Sequence, residues 1–150
     1  MGKMDNKVAI VTGGGKGIGF GIATAFAKEG ANLVITGRTI ERLQSAKEKL
    51  EAYGVTVLPV AADGGDEAQV KEAVRQTIEK FGKIDVLVNN AQVSKSGVLL
   101  KDHTKEDFDL AVNSGLYAAF FYMRECYPYL KESKGSVINF ASGAGLFGNY

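Results

Sequence analysis

The sequence predicts an α/β fold: a doubly wound parallel sheet of about five strands in the order 3-2-1-4-5, forming one domain over residues 1–150. Two observations carry that prediction. Short, continuous apolar runs recur along the chain, as in strands buried on both faces, and stretches with helical apolar spacing lie between them. Such alternation closes as parallel strands joined by right-handed crossovers, which lay helices over both faces. A third observation places the ligand. A glycine cluster occupies the first strand-to-helix turn, at the carboxyl edge where the strand order reverses between strands 1 and 4.

The strands are expected at 8–11, 32–36, 56–60, 86–88 and 136–140, each short, β-branched or Leu-rich, and flanked by Gly, Asp or Asn. Helices are expected at 17–29, 39–53 and 66–81, with one long helix over 104–131. Gly30, Gly54 and Gly82 each follow a helical run, where a C-terminal cap needs a left-handed residue. No internal repeat, low-complexity segment or linker interrupts the pattern, so a single domain is expected.

Composition narrows the function classes. The chain is 45% hydrophobic and 23% charged with a formal charge of +1, which offers no electrostatic case for nucleic acid or an anionic membrane. The first seven residues lack the apolar centre of a signal peptide, and no apolar run approaches membrane-spanning length. Cys126 is the only cysteine, which suits a reducing cytoplasm, and with His103 as the only histidine no structural zinc site is expected.

The turn after the first strand reads Thr12-Gly13-Gly14-Gly15-Lys16-Gly17-Ile18-Gly19. The pattern G-x-G-x-x-G fits no frame, because it would require glycine at Ile18 or Phe20. T-G-x-x-x-G-x-G fits through Thr12, Gly13, Gly17 and Gly19, while a P-loop is excluded because no Gly-Lys-Ser/Thr follows. Backbone N–H groups left open at a helix start, with no Cβ in the way, form a site for a dinucleotide pyrophosphate. Its contacts are assigned to Gly13, Gly15, Lys16, Gly17, Ile18 and Gly19. The end of the second strand distinguishes the two nicotinamide dinucleotides, since a carboxylate there takes the ribose hydroxyls and a cation without that carboxylate takes a 2′-phosphate. Here Gly37 stands at the acid's place and Arg38 follows, with Lys16 as a second cation. The expected cofactor is NADP(H).

In these residues the chain resembles the short-chain dehydrogenase/reductase family over its whole length. The glycine motif, Asp63 with Gly64 at the adenine, Asn89-Asn90-Ala91-Gln92 for N-N-A-G, and Ser142 after strand 5 occur in the family's order and spacing. Within the family, Asn90-Ala91-Gln92, Ser114-Gly115-Leu116-Tyr117 and the stretch from Met123 to Leu130 look most similar to bacterial NADP-dependent 12α-hydroxysteroid dehydrogenases, which oxidise bile-acid hydroxyls. The 3-oxoacyl carrier protein reductase group is the more general neighbour. The resemblance implies a Rossmann-type fold, hydride transfer between nicotinamide and an alcohol or ketone, and a homo-oligomer formed through the helix over 104–131. It also implies cofactor contacts at Asn90, Ala91 and Gln92, and a serine, Ser142, that orients the substrate oxygen. By the same resemblance, a tyrosine in Y-x-x-x-K exchanges its proton, the lysine lowers that tyrosine's pKa and holds the nicotinamide ribose, and a helix asparagine anchors a water relay.

The chain departs from that pattern in three places. Gln92 stands where the family usually has glycine. Alignment of Gly115-Leu116-Tyr117-Ala118-Ala119-Phe120 with the family's helix puts Gly115, not Asn113, at the asparagine position; two residues turn a side chain by about 200° on an α-helix. Either a local bulge brings Asn113 round, or that residue is dispensed with, and the alignment favours the second. No Y-x-x-x-K follows Ser142, and Tyr150 lies only eight residues after it, so the chain as written is expected to bind cofactor without turnover. The competing reading is a non-catalytic nucleotide-binding or pairing module. An N-terminal part of a longer enzyme is favoured over it, because a sheet ending at strand 5 leaves an apolar edge open. His103 reads as solvated, the aromatics from Tyr117 to Tyr129 as the apolar face of the long helix, and Arg42 with its neighbours as an ordinary charged helix face.

Overall fold

The computed structural model describes residues 2–94 and 97–140. Its five strands, β1 (Val8–Thr12), β2 (Asn32–Gly37), β3 (Val57–Ala61), β4 (Val86–Asn89) and β5 (Ser136–Asn139), form one parallel sheet in the order β3-β2-β1-β4-β5. This is the Rossmann-type order read from the sequence. The central strand β1 is buried at all five residues, which explains why Val8-Ala9-Ile10-Val11 is continuously apolar.

Side chains alternate across the sheet and feed two cores. On one face α1 (Gly17–Lys28) and α2 (Ile40–Glu51) cover Ala9, Val11, Leu33, Ile35 and Val57. On the other, α3 (Glu67–Phe81) and a later helix cover Ile10, Val34, Val60 and Leu87. Local signals set the helix ends. Asp66 caps α3 by accepting from the N–H groups of Ala68 and Gln69, and Gly82 ends it in the left-handed conformation at φ 76°. The buried Asp85 fixes the central strand where it begins: its Oδ2 accepts from Val8 N–H at 2.9 Å and pairs with Lys83 at 3.2 Å.

The segment expected as one long helix is built in pieces. After a single 3-10 turn (Leu100–Asp102), α4 (Lys105–Ala111) starts from a capping box in which Thr104 and Asp107 satisfy each other's backbone N–H. A π-helical turn over Val112–Tyr117 then leads into α5 (Ala118–Ser133), whose Tyr122, Cys126 and Leu130 complete the second core. The inserted turn changes which residues face the sheet, and the apolar spacing conceals it because both halves keep a helical period. Tyr117, Phe120 and Tyr127 remain exposed at 48%, 49% and 62%, so the aromatics are not one buried stripe. The last strand ends at Asn139 rather than residue 140, and Val137 and Ile138 are 40% and 42% exposed. Among the described residues no helix is long and apolar enough to cross a membrane.

Candidate functional site

The glycine loop is shaped by contacts that exclude side chains. Gly13 and Gly14 donate their N–H groups to Thr36 O at 2.9 and 3.3 Å, which draws the loop over the end of β2. Gly13 and Gly17 have φ of 66° and 58°, a conformation that favours glycine. A Cβ at Gly19 would stand 2.5 Å from Asn90 Nδ2 and would collide with the carbonyl oxygen of Gly13. The first turn of α1 therefore lies directly against the loop. Lys16 occupies its N-cap without a side-chain cap, and no acidic residue sits in that turn, so the open N–H groups and the positive helix end suit an anion.

Thr12 ties this loop to the end of β4. Its buried hydroxyl accepts from the N–H groups of Asn90 and Ala91, both at 3.0 Å, and donates to Val88 O at 3.3 Å. Asn90 Nδ2 reaches back to Gly13 O at 3.5 Å. These bonds hold the Asn-Asn-Ala-Gln turn against the glycine turn and define one wall of a cleft of about 510 Å³.

The cleft brings most of the predicted cofactor residues together. Gly13, Gly15 and Lys16 line it from the first turn, Arg38 from the end of β2, Asp63 and Gly64 from the end of β3, and Ala91 and Gln92 from the end of β4. Gly17, Ile18 and Gly19 form the start of α1 beside it, with Ile18 69% exposed. Asp63 Oδ1 accepts from Gly65 N–H at 2.9 Å, and its own N–H donates to Gln69 Oε1 at 2.8 Å, so its loop is anchored to α3.

Three further contributors were not assigned to the site from the sequence. Thr12 acts through the hydrogen bonds above. Arg42, exposed on α2 as its charged helix face implies, also lines the cleft from the helix's first turn; the Arg38-x-x-x-Arg42 spacing was the available signal. Tyr122 forms part of the floor. It is buried, and its hydroxyl makes no direct hydrogen bond of good geometry among the described residues. Burial pushes its pKa up to about 12, partly offset by the nearby Thr36.

A second cavity of about 500 Å³ adjoins the cleft through Thr12, Ala91 and Gln92 and is lined by Asn89, Gly115 and Asn139. Asn89 Nδ2 donates to Asn139 Oδ1 at 2.8 Å, while Asn89 Oδ1 is buried and has no hydrogen-bond partner among the described residues. The π-turn settles where the helix residues go. Gly115 faces Gln92, whose Cγ lies 3.6 Å from where a Cβ at 115 would stand. Asn113 packs its Cβ beside Gly65, at 3.0 Å from where a Cβ there would stand, and is not among the residues lining either cavity. Ser114 anchors the turn, accepting from Val93 N–H at 2.8 Å and donating to Val93 O at 3.0 Å. Ser142 and Tyr150 lie outside the described residues. A Y-x-x-x-K spacing does occur before Ser142, at Tyr127 and Lys131, but it lines a separate depression with Lys134 and Gly135 and takes no part in the cleft. His103 is exposed in the turn before α4.

The fold is a Rossmann-type sheet with a glycine-loop cleft at its switch point, and the short chain dehydrogenase family matches residues 7–150. The chain belongs to that family of oxidoreductases. It is 65% identical over 156 residues to a 12α-hydroxysteroid dehydrogenase of Clostridium sp., covering 99% of this chain and 60% of that protein. It is 34% identical to a 3-oxoacyl-[acyl-carrier-protein] reductase of Thermotoga maritima, covering 98% and 60%. Among solved structures, a short chain dehydrogenase of Burkholderia cenocepacia in complex with NADP matches at TM-score 0.92 and 33% identity, over 99% of this chain and 60% of that one. NAD+-bound xylitol dehydrogenase matches at TM-score 0.92 and 28% identity, over 98% and 57%. The chain thus spans about 60% of the length of these curated relatives.

Proposed function

We propose that this chain supplies the cofactor-binding portion of an NADP(H)-dependent alcohol/ketone oxidoreductase acting on a hydroxysteroid of the bile-acid type. The observation that carries the cofactor choice is the end of β2, where Gly37 offers no carboxylate while Arg38 and Lys16 line the same cleft. The cleft suits the dinucleotide: the glycine turn leaves N–H groups open at the start of α1 for a pyrophosphate, Asp63 and Gly64 would meet the adenine from the end of β3, and Asn90, Ala91 and Gln92 would meet the nicotinamide half from the end of β4. When bound, the nicotinamide supplies the hydride chemistry. The residues of this chain bind and orient it, and by resemblance Ser142 orients the substrate oxygen. The 65% identity to a 12α-hydroxysteroid dehydrogenase supports the steroid class over a 3-oxoacyl thioester.

Phe108, Leu116, Tyr117, Phe120 and Tyr127 leave an exposed apolar surface along residues 104–131, which supports pairing with a second copy there. The 150 residues alone are expected to bind NADP(H) without turnover, because no tyrosine–lysine pair follows Ser142 within them. The test is hydroxysteroid-dependent formation of NADPH, with intact mass establishing the species assayed. Turnover by a verified 16.0 kDa species overturns the expected inactivity. A longer chain that contains these residues and reduces NADP without preference for steroids overturns the substrate class.

A further inference from the structure

We propose that Arg42 is a third phosphate-binding cation, a specificity-determining residue that grips the adenosine 2′-phosphate together with Lys16 and Arg38. The inference rests on the reading of the cleft as an NADP(H) site, and three observations carry it. Arg42 lines the same cleft as the other two cations, and no ion pair engages any of the three among the described residues. An arginine with no carboxylate partner keeps its planar fork free for a phosphate.

Packing also directs the side chain. Leu43, 1% exposed, sits beneath the loop: Cβ atoms built on Gly15 and Gly37 would stand 3.1 and 3.4 Å from its Cδ2. That contact fixes the start of α2 against both the glycine loop and the end of β2. Arg42 precedes Leu43, and its Cγ lies 3.6 Å from where a Cβ on Gly15 would be, so its aliphatic stem runs along the face of that glycine. A stem held this way loses less freedom when the guanidinium takes an anion.

The third observation is the helix end itself. Thr39, the N-cap of α2, lines the cleft and makes no side-chain cap, leaving the first N–H groups of a 12-residue helix open beside Arg38 and Arg42. Asp63 is the only carboxylate that lines this cleft among the described residues, and it projects from the β3 side rather than from α2. A phosphomonoester at the end of β2 would therefore meet two guanidiniums, one ammonium and a helix N-terminus.

The probes are adenosine 2′,5′-bisphosphate and 5′-AMP, titrated into the 150-residue chain and its R42Q and R42K variants by calorimetry. The wild type is expected to bind the bisphosphate more tightly. R42Q is expected to weaken bisphosphate binding about tenfold with 5′-AMP binding unchanged, and R42K to lose less, since it keeps the charge and not the fork. If the wild type prefers the bisphosphate but R42Q leaves it unchanged, or weakens both probes equally, the role of Arg42 is overturned and the NADP(H) reading stands. If the wild type binds both alike, the NADP(H) reading itself fails.

Discussion

Replacing Gly19 by alanine is expected to damage both stability and cofactor binding, whereas the same change two residues later is expected to help. A Cβ at Gly19 would press on the Gly13 carbonyl and stand 2.5 Å from Asn90 Nδ2 and 2.8 Å from Gly13 C. These neighbours are backbone and a bonded carboxamide, so the loop must move as a unit. Overpacking against backbone atoms costs about 2–3 kcal/mol, the upper part of the usual range, against which the helix regains at most about 1 kcal/mol from exchanging glycine for alanine. For a chain of this size a net loss of about 1–2 kcal/mol lowers Tm by roughly 2–8 °C. At Gly21 a Cβ meets nothing within 4 Å, so only the propensity gain remains and Tm should rise by about 1–4 °C. Differential scanning fluorimetry of both variants with an NADPH titration is the assay. The N–H groups proposed to hold the pyrophosphate sit on the displaced loop, so Gly19→Ala should also weaken NADPH at least about tenfold, a loss of about 1.4 kcal/mol. A Gly19→Ala variant as stable as Gly21→Ala and equally able to bind would refute the close-approach reasoning.

Other expectations concern Thr12, the buried titratable groups and the end of β2. Thr12→Val removes the acceptor of two backbone N–H groups and should cost about 1–3 kcal/mol or more in urea unfolding, with Thr12→Ser recovering most of it. Burial holds Cys126 and Tyr122 protonated, each pushed up to about 12 from ordinary values of 9.0 and 10.0. Their raised folded pKa values mean stability is full below about pH 9 and falls as pH rises from there towards 12. Unfolding midpoints against pH should show that decline, and Tyr122→Phe should make it shallower. Gly37→Asp should reverse the cofactor preference, because a carboxylate near the 2′-phosphate repels it by about 1–4 kcal/mol and can instead take ribose hydroxyls. Paired NADPH and NADH titrations of that variant check it.

Much of the fold was legible because β1 and β2 are buried on both faces, so Val8-Ala9-Ile10-Val11 and Leu33-Val34-Ile35 are uninterrupted apolar runs. The glycine turn was equally readable, since close approach at Gly13 and Gly19 admits only glycine. The π-turn was not. It inserts without breaking the apolar spacing on either side, and it shows only as the mismatch between Asn113 and Gly115. Arg42 was not assigned to the cleft for a related reason: helix periodicity says which face it occupies but not that Leu43 packs the start of α2 against the glycine loop. Tyr122 looked like one more member of an aromatic stripe, although only the tertiary packing of α5 places it under the cleft and leaves Tyr127 exposed.

The proposed ligand of the cleft is a 2′-phosphorylated dinucleotide. Fluorescence titration of the 150-residue chain with NADPH and NADH under one buffer and ionic strength tests it most directly. NADPH affinity is expected to lie at least about tenfold above that for NADH, the difference shrinking as salt screens Lys16, Arg38 and Arg42. Equal affinities, or tighter NADH binding, would contradict it.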